Sequence, residues 1–478
     1  MAAPKQAELD AALMAAARRG DGRKMARLIA EGAEIETADS NECTPLFTAN
    51  YFGHVACVRV LLGAGANKEA AMAGGLTPLH IACCNGHEAC VRAMLDAGAN
   101  KEAASTAGST PLYIACQEGH EACVRAMLGA GANKEAADKD GATPLYIACE
   151  KGHEACVRVL LDAGANKEAT KTGGFTPLYV ACCQGQEACV RAMLGAGANK
   201  EATQMDDATP LHIACQKGHE ACVRALLGAG ANKEAAMTSG LTPLYIACCN
   251  GHEACVRALL GAGAKKEAAS TTGYTPLYAA CRNGHEACVR AMLREGANKE
   301  AAEKSIGATP LYIACLYGHE ACVRAMLGAG ANKEATKTGG YTPLYVACSQ
   351  GHEACVRAML GAGANKEAAD EDGWTPLHIA CWNGHEACVR AMLGAGANIE
   401  AASTAGSTPL SIARSNGHLS IVRVLEEAAA VQRPDPASPI NSSGPSRTVP
   451  PASTLTVPTP SQLAALPAPT PAITPAPT

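Results

Sequence analysis

Cysteine and histidine stand close together at many points of the chain, in combinations that could bind zinc. The stretch Cys83-Cys84-x2-His87-x2-Cys90 is an example, and thiolate and imidazole are good zinc ligands. However, two of these cysteines fall on different predicted helices that face a core, and the pattern recurs wherever such a core needs small side chains. We therefore predict that most of the 25 cysteines are small buried thiols, and that the chain binds neither a metal nor a cofactor. A thiol or metal store is kept as the minor alternative.

Two other patterns invite a catalytic interpretation and do not support it. Gly195-Ala196-Gly197 resembles a phosphate loop, but it follows a predicted helix C-terminus, where the carbonyl groups and the negative end of the helix dipole repel anions. The histidine of the recurrent Gly-His pair, such as His153, returns in nearly every copy, which favours a structural hydrogen bond over acid-base chemistry. No Ser-His-Asp set and no buried carboxylate pair stands out, so we predict a protein that is not an enzyme.

These residues belong to a unit that repeats along almost the whole chain. Thr143-Pro144-Leu145 marks one copy, and the steps between copies are 33 residues with a single step of 34. Self-similarity at this period indicates stacked structural repeats. Below, the threonine of each copy is position 1 and the residue before it is position −1. The copies begin at Thr44, Thr77, Thr110, Thr143, Thr176, Thr209, Thr242, Thr275, Thr309, Thr342, Thr375 and Thr408.

Each copy predicts two short helices and a turn. The threonine caps helix A, the proline suits its first turn, and Gly at position 10 ends it. His at position 11 is predicted to open helix B, on which Glu154 and Arg158 stand four residues apart in the favourable order. Gly164, at position 22, is placed to end helix B in a left-handed conformation. A polar segment with Gly at position −2 predicts a hairpin turn before the next copy.

The unit resembles the ankyrin repeat in its period, its Thr-Pro-Leu-His/Tyr-x-Ala and Gly-His motifs, and its Gly-Ala-Asn after helix B, over roughly residues 7–432. The resemblance implies an all-α ankyrin-repeat solenoid of helix-turn-helix units with short β-hairpin loops, whose helices A line a concave binding surface. Some copies depart from the pattern, because Tyr replaces His at position 4 in seven copies, Gln186 replaces the His of Gly-His, and Asp207 and Glu42 replace the hairpin glycine.

The order of segments predicts one long repeat domain and a tail. We expect a flexible N-terminus over 1–6 and a repeat domain over 7–433, in which 7–40 is a capping repeat, full repeats follow from 41, and 404–433 is the C-terminal cap. Residues 434–478 are rich in Pro, Ser, Thr and Ala without an apolar pattern, and this composition is typical of a disordered tail.

Charge and composition limit the classes of partner. The net charge is −5, and the charged residues of a typical copy cancel, so no basic stripe for nucleic acid accumulates. The N-terminal residues have too short an apolar run for a signal peptide or a membrane span. Unpaired thiols then favour a reducing compartment, and we expect a cytoplasmic or nuclear monomer whose partners are proteins.

The positions at which the copies differ indicate where such partners bind. Helix B is nearly invariant, whereas positions −4, −3, −1, 8 and 9 vary, and all aromatic residues fall at positions 4, −1, 8 or 9. Rings at −1, 8 and 9 have little core to fill by this interpretation, and we expect them to act as binding hot spots on the surface. The candidates are the cluster Tyr341, Trp374 and Trp382, the cluster Tyr274, Arg282, Leu316 and Tyr317, and the further aromatics Phe175, Tyr51 and Phe52. We predict a protein-binding scaffold or adaptor, with a mechanical spacer that has no specific partner as the alternative.

Overall fold

The structure, a computed structural model, describes residues 3–432. The predicted tail over 434–478 lies outside the described residues. The described chain divides between Asn232 and Lys233 into two compact units. Its regular elements are 26 α-helices and one short 3-10 helix, and no strand occurs among the described residues.

The first unit contains fourteen α-helices and the 3-10 helix, Met205–Asp207. The α-helices are α1 (Ala3–Arg19), α2 (Gly22–Ala30), α3 (Pro45–Tyr51), α4 (Val55–Gly63), α5 (Pro78–Cys84), α6 (Glu88–Asp96), α7 (Pro111–Glu118), α8 (Glu121–Gly129), α9 (Pro144–Lys151), α10 (Glu154–Asp162), α11 (Pro177–Gln184), α12 (Glu187–Gly195), α13 (Pro210–Lys217) and α14 (Glu220–Gly228). The first helix begins at Ala3, four residues before the predicted start of the repeat domain at residue 7.

The second unit contains twelve α-helices in the same alternation of helix A and helix B. They are α15 (Pro243–Asn250), α16 (Glu253–Gly261), α17 (Pro276–Arg282), α18 (Glu286–Arg294), α19 (Pro310–Leu316), α20 (Glu320–Gly328), α21 (Pro343–Gln350), α22 (Glu353–Gly361), α23 (Pro376–Trp382), α24 (Glu386–Gly394), α25 (Pro409–Ser415) and α26 (Leu419–Gln432).

Helix A begins and ends at the predicted residues. In α9 the Thr143 Oγ1 atom accepts a hydrogen bond of 3.2 Å from the Tyr146 N–H, and the proline occupies the first helical position. This cap satisfies one of the N–H groups that a helix N-terminus leaves without a partner. The helix ends at Gly152, whose φ of 82° is left-handed, as a C-terminal glycine requires.

Helix B begins one residue later than predicted. His153 is the N-cap residue and α10 begins at Glu154, because the ψ of 76° at His153 is not helical. The histidine side chain makes no cap hydrogen bond. Its Nε2 atom instead donates to the Gln117 carbonyl oxygen of the preceding repeat, at 2.9 Å. The structural role predicted for this histidine is therefore confirmed. The Glu154–Arg158 ion pair is 2.6 Å long and largely exposed, so it contributes only a few tenths of a kcal/mol, roughly.

The segments between repeats are turns, and the predicted β-hairpin loops have no strands. In one of them the Asp138 N–H donates to the Ala142 carbonyl at 3.0 Å and the Gly141 N–H returns to the Asp138 carbonyl at 3.1 Å. The neighbouring loop is joined to it by the backbone bond from the Lys139 N–H to the Ala107 carbonyl, at 3.1 Å. This single backbone bond places the tips of the two loops side by side without forming a ladder.

Small side chains allow the repeats to pack closely. Cys83 and Cys90, at positions 7 and 14, are 0% exposed, and helices at equivalent places in adjacent repeats pack against one another, as α7 does on α9. A Cβ atom at Gly119, at position 10, would lie 2.5 Å from the His153 Nδ1 atom of the next repeat. Glycine is thus required there both by its φ of 78° and by the neighbouring imidazole.

Candidate functional site

The side chain at position 4 of helix A joins one repeat to the next. His80 accepts a hydrogen bond on Nδ1 from the Thr77 N–H, and its Nε2 atom donates to the Ser109 carbonyl at 3.1 Å. Burial lowers the pKa of His80, although its backbone hydrogen bonds oppose the shift. A tyrosine at position 4 can reach the same neighbour, because the Tyr113 hydroxyl donates to the Asp138 Oδ2 atom at 2.9 Å. In these two copies His and Tyr thus serve the same purpose, a hydrogen bond to the neighbouring repeat.

Not every tyrosine at this position finds a partner. The hydroxyl groups of four of them are buried without a hydrogen bond, namely those of Tyr146, Tyr179, Tyr278 and Tyr312. In two copies an aspartate five places before the next threonine, Asp138 or Asp370, accepts a hydrogen bond from the facing tyrosine. In two others a lysine stands at that place, and Lys171 and Lys337 hold their ammonium groups over the rings of Tyr146 and Tyr312.

Rings at position −1 are largely buried, which corrects the expectation that they have little core to fill. Phe175, Tyr274 and Trp374 are 8%, 7% and 4% exposed, and only Tyr341 is half-buried. Each packs on the ring at position 4 of its own repeat, four residues further along the chain. The centroid distance is 4.8 Å for Tyr274 on Tyr278. These rings extend the core toward the loops. They lie beneath the surface side chains and do not protrude from the surface.

In the Tyr341, Trp374 and Trp382 cluster, ring packing joins the two tryptophans and an aspartate fixes the loop that carries Trp374. Trp374 and Trp382 meet edge to face, with ring centroids 5.4 Å apart, and Trp382 is half-buried. Asp370 accepts hydrogen bonds from the Trp374 N–H at 2.8 Å and from the Tyr345 hydroxyl at 3.0 Å. Burial raises the pKa of Asp370, although these hydrogen bonds oppose the shift. The accessible part of this cluster is the flank formed by Tyr341 and Trp382.

The second predicted cluster centres on an arginine between two rings. The Arg282 guanidinium carbon lies 6.0 Å from the Tyr274 ring centroid and 5.9 Å from that of Tyr317, within reach of a cation-π interaction. Tyr317 is 36% exposed, whereas Leu316 is 3% exposed. Leu316 therefore belongs to the core, because helix A turns it inward. Its prediction as a binding residue on the surface is wrong.

Lys337 lies beside these clusters and was missed by the sequence analysis. Its Nζ atom is 5.7 Å from the ring centroids of both Tyr312 and Tyr341. Burial lowers the pKa of Lys337, while the charge of Glu303 raises it. A signal was present, because Lys337 occupies the same position −5 as Asp138 and Asp370, but only positions −4, −3 and −1 were considered variable.

The extra residue of the 34-residue step lies in the loop that contains Glu303. This side chain is 3% exposed, and its carboxylate accepts hydrogen bonds from Ser305 N–H, Ser305 Oγ and the Ile306 N–H. Burial alone would raise the pKa of Glu303, but the hydrogen bonds together leave it below the ordinary value. Its charge is thus used to fold the loop.

A separate aromatic surface lies in the first unit. Tyr51 and Phe52 are 49% and 47% exposed, with ring centroids 5.0 Å apart. They border an open pocket of about 760 Å³ that Phe47 and Met72 also line. The Arg18–Asp39 ion pair, with an N–O distance of 3.1 Å, closes its polar side. Sequence analysis named the two exposed rings but not the pocket.

The cysteines at positions 7 and 14 of the repeats are core residues. Burial raises the pKa of Cys90 to about 11 and that of Cys123 to about 12, so the thiolate that nucleophilic or metal chemistry needs is disfavoured. Among residues 3–432, no group of three or more Cys, His, Asp or Glu side chains is arranged to hold a metal ion. None of the helices within the described part of the chain combines the length and apolar character that a membrane crossing requires.

The chain is a repeat protein of stacked helix-turn-helix units. The amino-acid sequence varies from copy to copy mainly in the loops and at the adjoining ends of helix A. Comparison with protein families then names it, because the model described as ankyrin repeats (3 copies) matches residues 13–105, 64–138, 112–204, 178–270, 264–337, 327–403 and 362–435. The chain belongs to the ankyrin repeat family. Ankyrin repeats are generally protein-protein interaction modules.

Comparison with solved structures gives the human ASB11 ankyrin repeat domain as one similar protein. Its sequence is 30% identical, the match covers 47% of this chain and 99% of that chain, and the TM-score is 0.43. No curated protein matches the chain in sequence.

Proposed function

We propose that the chain is a non-enzymatic scaffold that binds partner proteins on one surface of residues 233–432. This surface, called the aromatic face below, consists of Arg282, Tyr317, Lys337, Tyr341 and Trp382. The observation that carries the proposal is that large aromatic and cationic side chains gather at the positions where copies differ, while helix B stays nearly the same in sequence from copy to copy.

The residue types on the aromatic face support binding. Trp, Tyr and Arg are the residues most often found as hot spots, each costing about 2 kcal/mol or more on truncation. Arg282 is already held between two rings and Lys337 between two others. Since these cations are positioned before a partner arrives, binding loses little side-chain entropy.

The proposal is tested by removing two half-buried or exposed rings. Partners are first identified by proximity labelling with the full chain, and the affinity of one purified partner is then measured for the Trp382→Ala, Tyr317→Ala double variant. We expect at least a tenfold loss, since two hot spots of about 2 kcal/mol are removed.

A matched control lies on the helix B side of the same two repeats. The Arg324→Ala, Arg390→Ala double variant removes two exposed ion pairs with Glu320 and Glu386, and should leave the affinity within about twofold because such pairs contribute little. Equal losses in the two double variants would contradict the assignment of the aromatic face.

A further inference from the structure

The loops of the second unit form a continuous row beside the aromatic face. A Cβ atom at Gly273 would lie 3.1 Å from the Lys304 nitrogen, and one at Gly340 would lie 3.3 Å from the Asp370 Cα atom. Backbone hydrogen bonds of 3.0 Å join Thr338 to Ile306 and Thr404 to Asp372. The loop row therefore runs in the order 270–274, 303–308, 337–341, 370–374 and 403–407.

Charge is divided along this row. Lys304 is exposed and Lys337 half-buried in two successive loops, whereas Glu371 and Asp372 are exposed in the next. Within the part of the chain that the structure describes, none of these four side chains takes part in an ion pair. The carboxylate of Asp370, in contrast, is occupied by the N–H groups of Asp372 and Trp374 and by the Tyr345 hydroxyl. The one carboxylate among these two lysine-bearing loops, Glu303, is buried and hydrogen-bonded within its own loop. Two accessible ammonium groups thus precede an acidic loop, and the half-buried ring of Tyr341 lies where the two meet.

We propose that the loop row binds an extended segment of a partner protein with acidic residues at one end, basic residues at the other, and a large apolar side chain between them. The acidic end lies over Lys304 and Lys337, the basic end over Glu371 and Asp372, and the apolar side chain packs on Tyr341, which ends the loop of Lys337. The inference rests on the proposed function and specifies the chemistry of its partner. Complementary charge fixes the register of the segment and steers its approach.

The spacing within the segment follows from the repeat. Packed helices are about 8–10 Å apart, and an extended chain advances about 3.3 Å per residue, so each loop corresponds to about three residues. The basic stretch covers two loops and the acidic stretch the next one. The opposite charges of the segment should therefore be about three to six residues apart.

A loop of the first unit provides a matched control. The Asp138 side chain accepts hydrogen bonds from the Asp140 and Ala142 N–H groups and from the Tyr113 hydroxyl, as Asp370 does from the equivalent groups. Asp140 and Asp372 are both exposed at the same place in this frame. Substituting either one changes the same charge on the same backbone.

The test measures fluorescence anisotropy of labelled dodecapeptides with the full chain at low salt. One peptide carries two glutamates, a central tryptophan and two lysines in that order, a second reverses the order, and a third has the same composition with alternating charges. We expect one of the two ordered peptides to bind at least fivefold tighter than the alternating one. This difference should shrink as salt is added, because exposed charges are screened.

Variants of the chain decide the outcome. The Glu371→Lys, Asp372→Lys double variant should weaken the ordered peptide at least tenfold. The single variant Asp372→Lys, which changes the same charge as Asp140→Lys, should weaken it at least threefold, whereas Asp140→Lys should change its affinity less than twofold. Equal binding of the three peptides, or equal effects of the variants at the two loops, would overturn the inference. A cellular partner that depends on Trp382 and Tyr317 but not on Glu371 and Asp372 would also overturn it while leaving the proposed function intact. Indifference of that partner to all four side chains would instead reject the proposed function.

Discussion

The same substitution, Tyr→Phe at position 4, should have different effects in different repeats of the second unit. The Tyr345 hydroxyl donates to the Asp370 carboxylate at 3.0 Å, and a hydrogen bond to a charged group contributes about 1.5 kcal/mol or more. The Tyr278 hydroxyl is buried without a partner, so its desolvation is not compensated. We expect Tyr345→Phe to destabilise its repeat by about 1.5 kcal/mol and Tyr278→Phe to be neutral or stabilising by up to about 1 kcal/mol.

Native-state hydrogen exchange is the suitable measurement, because a repeat array can open locally and a single unfolding free energy is then poorly defined. Amides of α21 should exchange about tenfold faster in Tyr345→Phe, since about 1.4 kcal/mol corresponds to a factor of ten. Amides of α17 should exchange no faster in Tyr278→Phe. Equal acceleration by the two substitutions would refute the reasoning that a hydrogen-bond acceptor facing the hydroxyl decides its contribution to stability.

Three further predictions concern stability, pH and thiol reactivity. Trp374→Ala removes a ring that is 4% exposed and should lower the opening free energy of its repeat by about 3–5 kcal/mol, measured by native-state hydrogen exchange of the α23 amides; a loss below about 1 kcal/mol would contradict its burial. Burial lowers the pKa of His378 in the folded chain. Below about pH 6.5 the unfolded chain therefore binds the proton more readily than the folded chain, and stability decreases as the pH is lowered. His378→Tyr should reduce the fall in melting temperature between pH 7.5 and 5.5, and an unchanged fall would exclude this histidine as a cause. Iodoacetamide should label the half-buried Cys43 in the native chain well before the fully buried Cys83, as peptide mass spectrometry would reveal, and equal labelling rates would contradict the burial argument.

The sequence was sufficient for the fold because its signals are local. Thr143 and Gly152 act on the backbone within one or two turns, and the 33-residue period repeats the same evidence along the chain. The start of helix B was misplaced by one residue because His153 faces the previous repeat rather than its own helix. The absence of strands in the described loops likewise depends on how neighbouring loops meet, which no single copy reveals.

The surface was less predictable, because exposure depends on what packs beneath a side chain. Trp374 and Tyr274 appeared free to bind, yet the ring four residues further on buries each of them. That spacing was visible in the sequence and would have predicted the stacking. The frame around Asp370 was also visible, since Asp-x-Asp-Gly occurs at both 138–141 and 370–373, but its partner Tyr345 lies in the preceding repeat. Lys337 was missed for the same reason.

The joint between repeats has a bearing on how such a chain changes over evolutionary time. His153 reaches Gln117 and the Asn166 N–H reaches Glu135, so each bond ends in the adjacent copy, and most copies supply both the donor and the acceptor. Unequal recombination can therefore add or delete a whole copy, and the two new neighbours still fit. The 34-residue step preserves this rule, because His319 reaches Arg282 across 37 residues where most copies span 36. The number of repeats in the array can therefore change by whole copies, and a single extra residue can be accommodated in a loop.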